Sequence, residues 1–247
     1  MSTIFIVGIG PGSYEQMTIK AVNTLAACDT IIGYHVYTEL VKPHFPEKEY
    51  LSTPMTKEVD RCRLCFEEAS RGKQVAMVCS GDAGVYGMAG LMTAIGQDYP
   101  GISCEIIPGV TAATAGAALL GAPLIQDFAV ISLSNLLTPW EKIEKRILAA
   151  AQADLVICLY NPSSKKRKDF LQKACDLILT YASEDTVCGI TENIGRKGQT
   201  HVTCTLKELR EIPVTMFTTV FIGNSQTKLV DGRMVTPRGY RKEEQGI

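Results

Sequence analysis

Four short stretches carry the residue types that hold small molecules. They read "SGDAGVYG" (80–87), "PGVTAATAG" (108–116), "LYNPSSKKR" (159–167) and "TENIGRKGQ" (191–199), and each follows an apolar run. Glycine lets a ligand lie close against the main chain, while hydroxyls, amides and the acid of the first stretch offer hydrogen bonds. In open α/β sheets, ligands bind in the crevice outside the carboxyl ends of the strands. One such loop would mean little, because Asp82 alone would serve as a helix N-cap. Four together point to a bound small molecule in a cleft between two domains.

A fifth stretch, "GIGPGS" (8–13), places Gly8 and Gly10 as in a dinucleotide fingerprint. The third glycine slot falls on Ser13, and Pro11 has no N–H to offer a phosphate. A nucleotide site also wants an acid ending the second strand, where this chain has Gly33 and Tyr34. A tight turn that needs glycine's backbone freedom is the plainer reading.

Other reactive groups are few. The only histidines are His35, His44 and His201, and no Ser-His-Asp or Cys-His set is evident. "CRLC" (62–65) has a metal-like spacing, but Val59, Cys62, Phe66 and Ala69 recur at helical period and predict a core-facing stripe. A structural zinc site would want a second pair or two histidines nearby, so no metal site is expected. Nine cysteines, odd in number and often inside apolar runs, read as reduced thiols packed as small hydrophobes. The "KKRK" run (165–168) reads as a solvated helix face or end.

The elements that must position these loops alternate along the chain. "TIFIVG", "TIIGY", "QVAMVCS" and "CEIIPG" read as strands, with helices over "IKAVNTLAAC", residues 56–71, "VYGMAGLMTAI" and "TAATAGAALL" between or after them. Thr56 is the expected N-cap and Gly72 the stop of the second helix. "KPHFPEKEYLSTP" has three prolines and reads as a connection. After "LGAPLIQD" (120–127), the expected hinge, the alternation resumes with "FAVISL", a helix beginning near Pro139, "DLVICLY", a helix over 165–181, and "TVCGIT". "TLKELRE" carries a capping box, Thr205 with Glu208. "TTVFIGN" is a late strand. Apolar strands alternating with helices predict parallel sheets covered on both faces. The expected domains are 1–122 and 123–247, both α/β.

Composition removes several classes. The 247 residues include 25 Lys and Arg against 26 Asp and Glu, which argues against a general nucleic-acid binder. No apolar stretch spans a bilayer; "ILAAAQADLVICLY" comes closest, interrupted by Gln152 and Asp154. The chain opens directly on a strand-like run with no signal-like segment ahead of it, so a cytoplasmic place is expected, with no membrane or nucleic-acid partner.

Longer stretches then resemble a family. "VGIGPGS", "SGDAGVYGMAG", "PGVTAATAGAALLGAPL", "LYNPSSKKR" and "IGNS" are similar, in order, to the motifs of the tetrapyrrole methylases, from Gly8 to about Tyr240. "DFAVISLSNLLTPWEKIEKRI" (127–147) and "TPRGY" (236–240) resemble the branch that methylates C-17 of a trimethylated corrin precursor, precorrin-3B or cobalt-factor III, in cobalamin biosynthesis. The resemblance implies two α/β domains with a ligand cleft between them, a homodimer, and S-adenosyl-L-methionine folded into the cleft as methyl donor. It implies donor contacts at Pro11, Ser80, Gly81, Asp82, Val85, Thr111 and Ala112, and in the second half at Leu159, Tyr160, Asn193 and Ile194. Gly10 and Tyr34 fall beside the tetrapyrrole position, although relatives that make siroheme precursors carry aspartate where this chain has Tyr34. Arg196 and Arg238 are the basic groups expected to meet substrate carboxylates, with Lys197 and the "KKRK" run as further candidates. No residue is assigned as general acid or base. Rival readings are methylation at C-11 or C-20, a nicotinamide-dependent oxidoreductase, and a ligand-binding module without catalysis.

Overall fold

Strand β1 (Ser2–Gly8) shows why the first half folds as it does. Ile4 and Ile6 belong to one buried cluster, while Val7, with Phe5 packed alongside, belongs to another. Strand β4 (Val75–Cys79) divides the same way, with Val75, Met77 and Cys79 on one side and Ala76 and Val78 on the other. Strands apolar on both faces suit a parallel sheet layered between helices. In the computed structural model, which describes residues 2–164 and 166–239, this sheet has the order β3–β2–β4–β1–β5 and is parallel throughout. The flanking strands are β2 (Thr30–Tyr34), β3 (Glu49–Thr53) and β5 (Ile102–Ile107). Helices α1 (Ile19–Ala27) and α2 (His35–Val41) bury Leu25 and Val41 against one face. Helices α3 (Glu58–Ser70) and α4 (Ala89–Ile95) bury Phe66 and Met92 against the other.

Three expectations change here. The proline-marked connection contains β3, an edge strand flanked by Pro46 and Pro54 rather than interrupted by them. Helix α3 starts at Glu58; Thr56 has φ +68°, not the extended geometry of an N-cap. Gly72, at φ +87°, does end it, its N–H donating to the Ala69 carbonyl at 3.0 Å. Helix α4 starts at Ala89 rather than Val85, because residues 82–88 are used in a turn.

The chain divides into two compact units, Met1–Ala112 and Ala113–Ile247. Nearly all of α5 (Ala112–Leu120) therefore belongs with the second unit, where the sequence suggested a change at residue 123. The second unit continues through β6 (Gly121–Ala122), β7 (Phe128–Ser132), α6 (Trp140–Gln152), β8 (Val156–Tyr160) and α7 (Phe170–Ile178). It ends with β9 (Val187–Glu192), β10 (Thr200–Thr205), α8 (Leu206–Leu209), β11 (Thr218–Ile222), β12 (Lys228–Val230) and β13 (Arg233–Val235). Its main sheet has the order β10–β9–β11–β8–β7, and only β7 and β8 pair in parallel. The expectation of a parallel sheet thus fails in this half. Apolar strands buried on both faces read the same whichever way they run.

Helices α6, α7 and α8 cover one face of that sheet through Ile143, Ile147, Leu171, Ala174 and Leu206. Helix α5 covers the other, with Ala113, Ala117 and Leu120 against Cys158 and Phe221. Two glycines let it lie close. A Cβ on Gly116 would stand 2.7 Å from Thr191 Oγ1, and one on Gly189 would stand 2.5 Å from Leu120 Cδ1. The capping box of α8 forms as read, with Thr205 Oγ1 accepting from Glu208 N at 3.2 Å and Glu208 Oε2 accepting from Thr205 N at 2.8 Å. Helix α7 begins at Phe170, not at 165, and Lys165 lies outside the described residues.

Candidate functional site

In the first unit, the loops leaving β1, β4 and β5 meet, the first two through main-chain hydrogen bonds. Gly10 N donates to Gly81 O at 3.1 Å and Gly81 N returns the bond to Gly10 O at 2.7 Å. Both glycines have left-handed φ, +71° and +70°. A Cβ on Gly8 would stand 2.7 Å from Gly109 N and 2.8 Å from Gly81 O, and one on Gly109 would collide with the Gly8 and Gly81 backbones. The chain itself therefore requires these glycines, because three backbones approach one another there.

Asp82 completes the junction. Its Oδ1 accepts from Gly84 N at 2.7 Å and Val85 N at 3.1 Å, and its Oδ2 accepts from Gly109 N at 2.9 Å. It is not the cap of a helix; it folds its own loop back and ties it to the loop after β5. The sequence singled out Asp82, but the tie to Gly109 could not be read there, since it joins positions far apart in the chain. Ser80, Val85, Thr111 and Ala112 are half-buried around this junction, and Pro11 is buried. Tyr34 ends β2, half-buried, with its ring edge-on to Tyr37 at 5.2 Å. The first unit thus gathers Gly10, Pro11, Ser80, Gly81, Asp82, Val85, Thr111 and Ala112 at the carboxyl ends of its strands, with Tyr34 at the end of the neighbouring β2.

In the second unit, β8 and β9 run in the same direction with β11 reversed between them. Each is followed by an asparagine in the left-handed region, Asn161 at φ +54° and Asn193 at φ +51°, a conformation asparagine tolerates. The Leu159 and Ile194 side chains are core, so what these residues offer a ligand is main chain. The Tyr160 hydroxyl accepts from Ala113 N at 2.6 Å, at the start of α5. Asn161 Nδ2 donates to Ser132 Oγ at 2.9 Å, and Leu133 N to Tyr160 O at 2.8 Å, which joins the ends of β7 and β8. The Arg196 guanidinium lies 5.5 Å from the Phe217 ring centroid. Leu159, Tyr160, Asn193, Ile194 and Arg196 thus share one end of this sheet.

Arg238 stands elsewhere in the unit, exposed, on the segment after β13. That segment is held by Thr236 N donating to Ala122 O at 3.1 Å and Gln126 Nε2 donating to Pro237 O at 2.6 Å. Tyr240 lies outside the described residues. The basic run is corrected in part: Lys166 and Lys168 are exposed, but Arg167 is buried. A cavity of about 330 Å³ opens at the opposite end of the sheet from the loops after β8 and β9, by Asp154, Thr186 and Gly223.

The cysteine pair packs as the helical period suggests. Cys62, Cys65, Phe66 and Ala69 are buried, although Val59 is exposed. Burial pushes the Cys62 thiol up to about 12 and Cys65 well above its ordinary value. Among the described residues no group of three His, Cys, Asp or Glu is arranged to hold a metal ion. What the strand ends present is peptide N–H and C=O groups, hydroxyls and a few arginines. Such groups can hydrogen-bond a small molecule, and among the described residues there they include no activated nucleophile.

Residues 3–210 match the family of Tetrapyrrole (Corrin/Porphyrin) Methylases, and the chain belongs to that family. It is 46% identical over 236 residues to a probable cobalt-factor III C(17)-methyltransferase of Salmonella typhimurium, covering 95% of this chain and 98% of that one. It is 43% identical to a cobalt-factor III methyltransferase of Priestia megaterium, where it covers 97% of this chain but 45% of the relative. Among solved structures, that of the methyltransferase CobJ superposes with a TM-score of 0.88 at 30% identity, covering 96% of this chain and all of the other.

Proposed function

We propose that this chain transfers the methyl group of S-adenosyl-L-methionine to C-17 of a trimethylated corrin precursor, cobalt-factor III or precorrin-3B, with contraction of the macrocycle in the same site. The observation that carries the reading is the likeness to the Salmonella typhimurium protein along nearly the full length of both chains. The site chemistry agrees with it. The sulfonium donor already bears a good leaving group, so transfer needs the acceptor carbon held in line with the methyl carbon. Orientation and exclusion of water supply most of such an acceleration.

In this reading the first unit's loops hold the donor through Pro11, the main chain of Ser80, Gly81 and Asp82, and Val85, Thr111 and Ala112. Leu159, Tyr160, Asn193 and Ile194 contribute further contacts. Gly10, Tyr34, Arg196 and Arg238 face the tetrapyrrole, whose acetate and propionate groups call for arginine. The working form is a homodimer in the cytoplasm. Carbon-13 NMR of product made with a labelled methyl donor tests the reaction. The label is expected on C-17 of a contracted ring; a label on another carbon refutes the regiochemistry, and an uncontracted ring refutes the coupling.

A further inference from the structure

Arg167 is a largely buried cation without an anion beside it among the described residues. Its residue is 9% exposed, and no ion pair joins it to a carboxylate among the described residues. Its Nη1 donates to Leu133 O at 3.0 Å and, more weakly, to Asn161 O at 3.3 Å. The guanidinium carbon lies 5.7 Å from the Phe170 ring centroid. These contacts fix the group between the ends of β7 and β8 and the start of α7. They occupy one nitrogen of the fork; guanidinium has five N–H donors. Among the described residues Nε and Nη2 have no hydrogen-bond partner, and neither is a fully buried atom left without one, so both reach solvent.

A buried cation held only by carbonyl dipoles is costly, and proteins ordinarily pair such charges. Burial accordingly lowers the proton affinity of this guanidinium. The neighbours Lys166 and Lys168 are exposed. The free edge of the fork matches the two oxygens of a carboxylate. It also stands beside Tyr160 and Asn161, at the end of the sheet that carries Asn193 and Arg196.

We infer that Arg167 is a carboxylate-binding residue of this site, fixed on one side by Leu133 and Asn161 and open on the other to the bound molecule. The carboxylate comes from the amino-acid end of the methyl donor or from a side chain of the tetrapyrrole; the choice of carriers rests on the function proposed above.

Calorimetry on Arg167→Gln and the wild type, with S-adenosylhomocysteine and with its decarboxylated analogue, separates the sources when joined to the Michaelis constant for the tetrapyrrole. A loss of roughly ten- to a hundredfold for S-adenosylhomocysteine, with the decarboxylated analogue unaffected, assigns the donor's carboxylate. Unchanged nucleoside affinities with a similarly raised Michaelis constant assign the substrate's carboxylate. Equal losses for both nucleosides, or no change in any measurement, overturn the inference and leave Arg167 a strut between strands. Should the glutamine variant not fold, Arg167→Lys keeps the charge without the fork, and the same comparison applies with a smaller effect. A wild type that binds neither nucleoside refutes the proposed function itself, and this inference with it.

Discussion

Asp82 shows how one side chain fixes peptide groups belonging to two loops. It accepts three main-chain N–H bonds, two from its own loop and one from Gly109. Asparagine in its place keeps one oxygen but presents an amide donor to one of those N–H groups. Asp82→Asn should therefore break one side of the tie, and Asp82→Ala both. Hydrogen bonds to charged groups contribute about 1.5–3 kcal/mol each. The Michaelis constant for the methyl donor should rise about tenfold or more in Asp82→Asn, with kcat little changed. A donor affinity equal to the wild type's, measured by calorimetry on the folded variant, would remove the tie from the site. Arg238→Ala should instead raise the tetrapyrrole's Michaelis constant by about one to two orders of magnitude and leave donor affinity alone. Sequence singled out Asp82 and the glycines because acid and glycine after an apolar run are visible as residue types. Gly109's approach to Gly8 and Gly81 was not visible, because it is a meeting of backbones far apart in the chain. Arg167 was hidden inside a basic run, where nothing in the local sequence separates the one buried guanidinium from its solvated neighbours.

Among the elements, α5 depends on its two glycine contacts. Gly189→Ala places a methyl group against Leu120, which is 2% exposed and has little room to move. Overpacking of this kind typically costs about 1–3 kcal/mol, and thermal denaturation should show it as a lower Tm. An unchanged Tm would mean that α5 shifts freely over its sheet. Elements with strong periodicity or apolar runs, such as β1, β4, α6 and β8, were legible. The capping box of α8 was legible too, because it is written within four residues. The short helix α2 was missed, and so were the strands β3, β10, β12 and β13: these strands are polar, partly exposed or beside prolines, so tertiary pairing rather than local pattern makes them strands. Strand direction in the second sheet was illegible because burial on both faces leaves no mark of parallel or antiparallel pairing.

Across the whole molecule, nine cysteines are unpaired and seven are buried. Burial raises the thiols of Cys28, Cys79 and Cys204 from 9.0 to about 11 and that of Cys175 to about 12. In the unfolded chain these groups ionise near the ordinary value, while in the folded chain they remain neutral. Their contribution to stability is therefore complete below about pH 9 and is lost as pH rises through 9 towards the folded values. Tm should hold between neutrality and about pH 8.5 and fall above about pH 9; a flat profile to about pH 10.5 would contradict this. The association state is a separate expectation. Sedimentation should give a dimer at micromolar protein, and a monomer there would refute the homodimer proposed above.

The same buried thiols bear on a hazard of the proposed chemistry. A protein that holds a sulfonium methyl donor carries an alkylating agent, and thiolate sulfur is the softest acceptor a protein chain can offer it. Only the thiolate attacks readily. A shift from 9.0 to about 11 lowers the thiolate fraction at neutral pH about a hundredfold. Enclosure further denies the donor an approach to the seven buried sulfurs. The apolar packing that places cysteine inside both halves thus also leaves those seven thiols poorly placed to accept the methyl group.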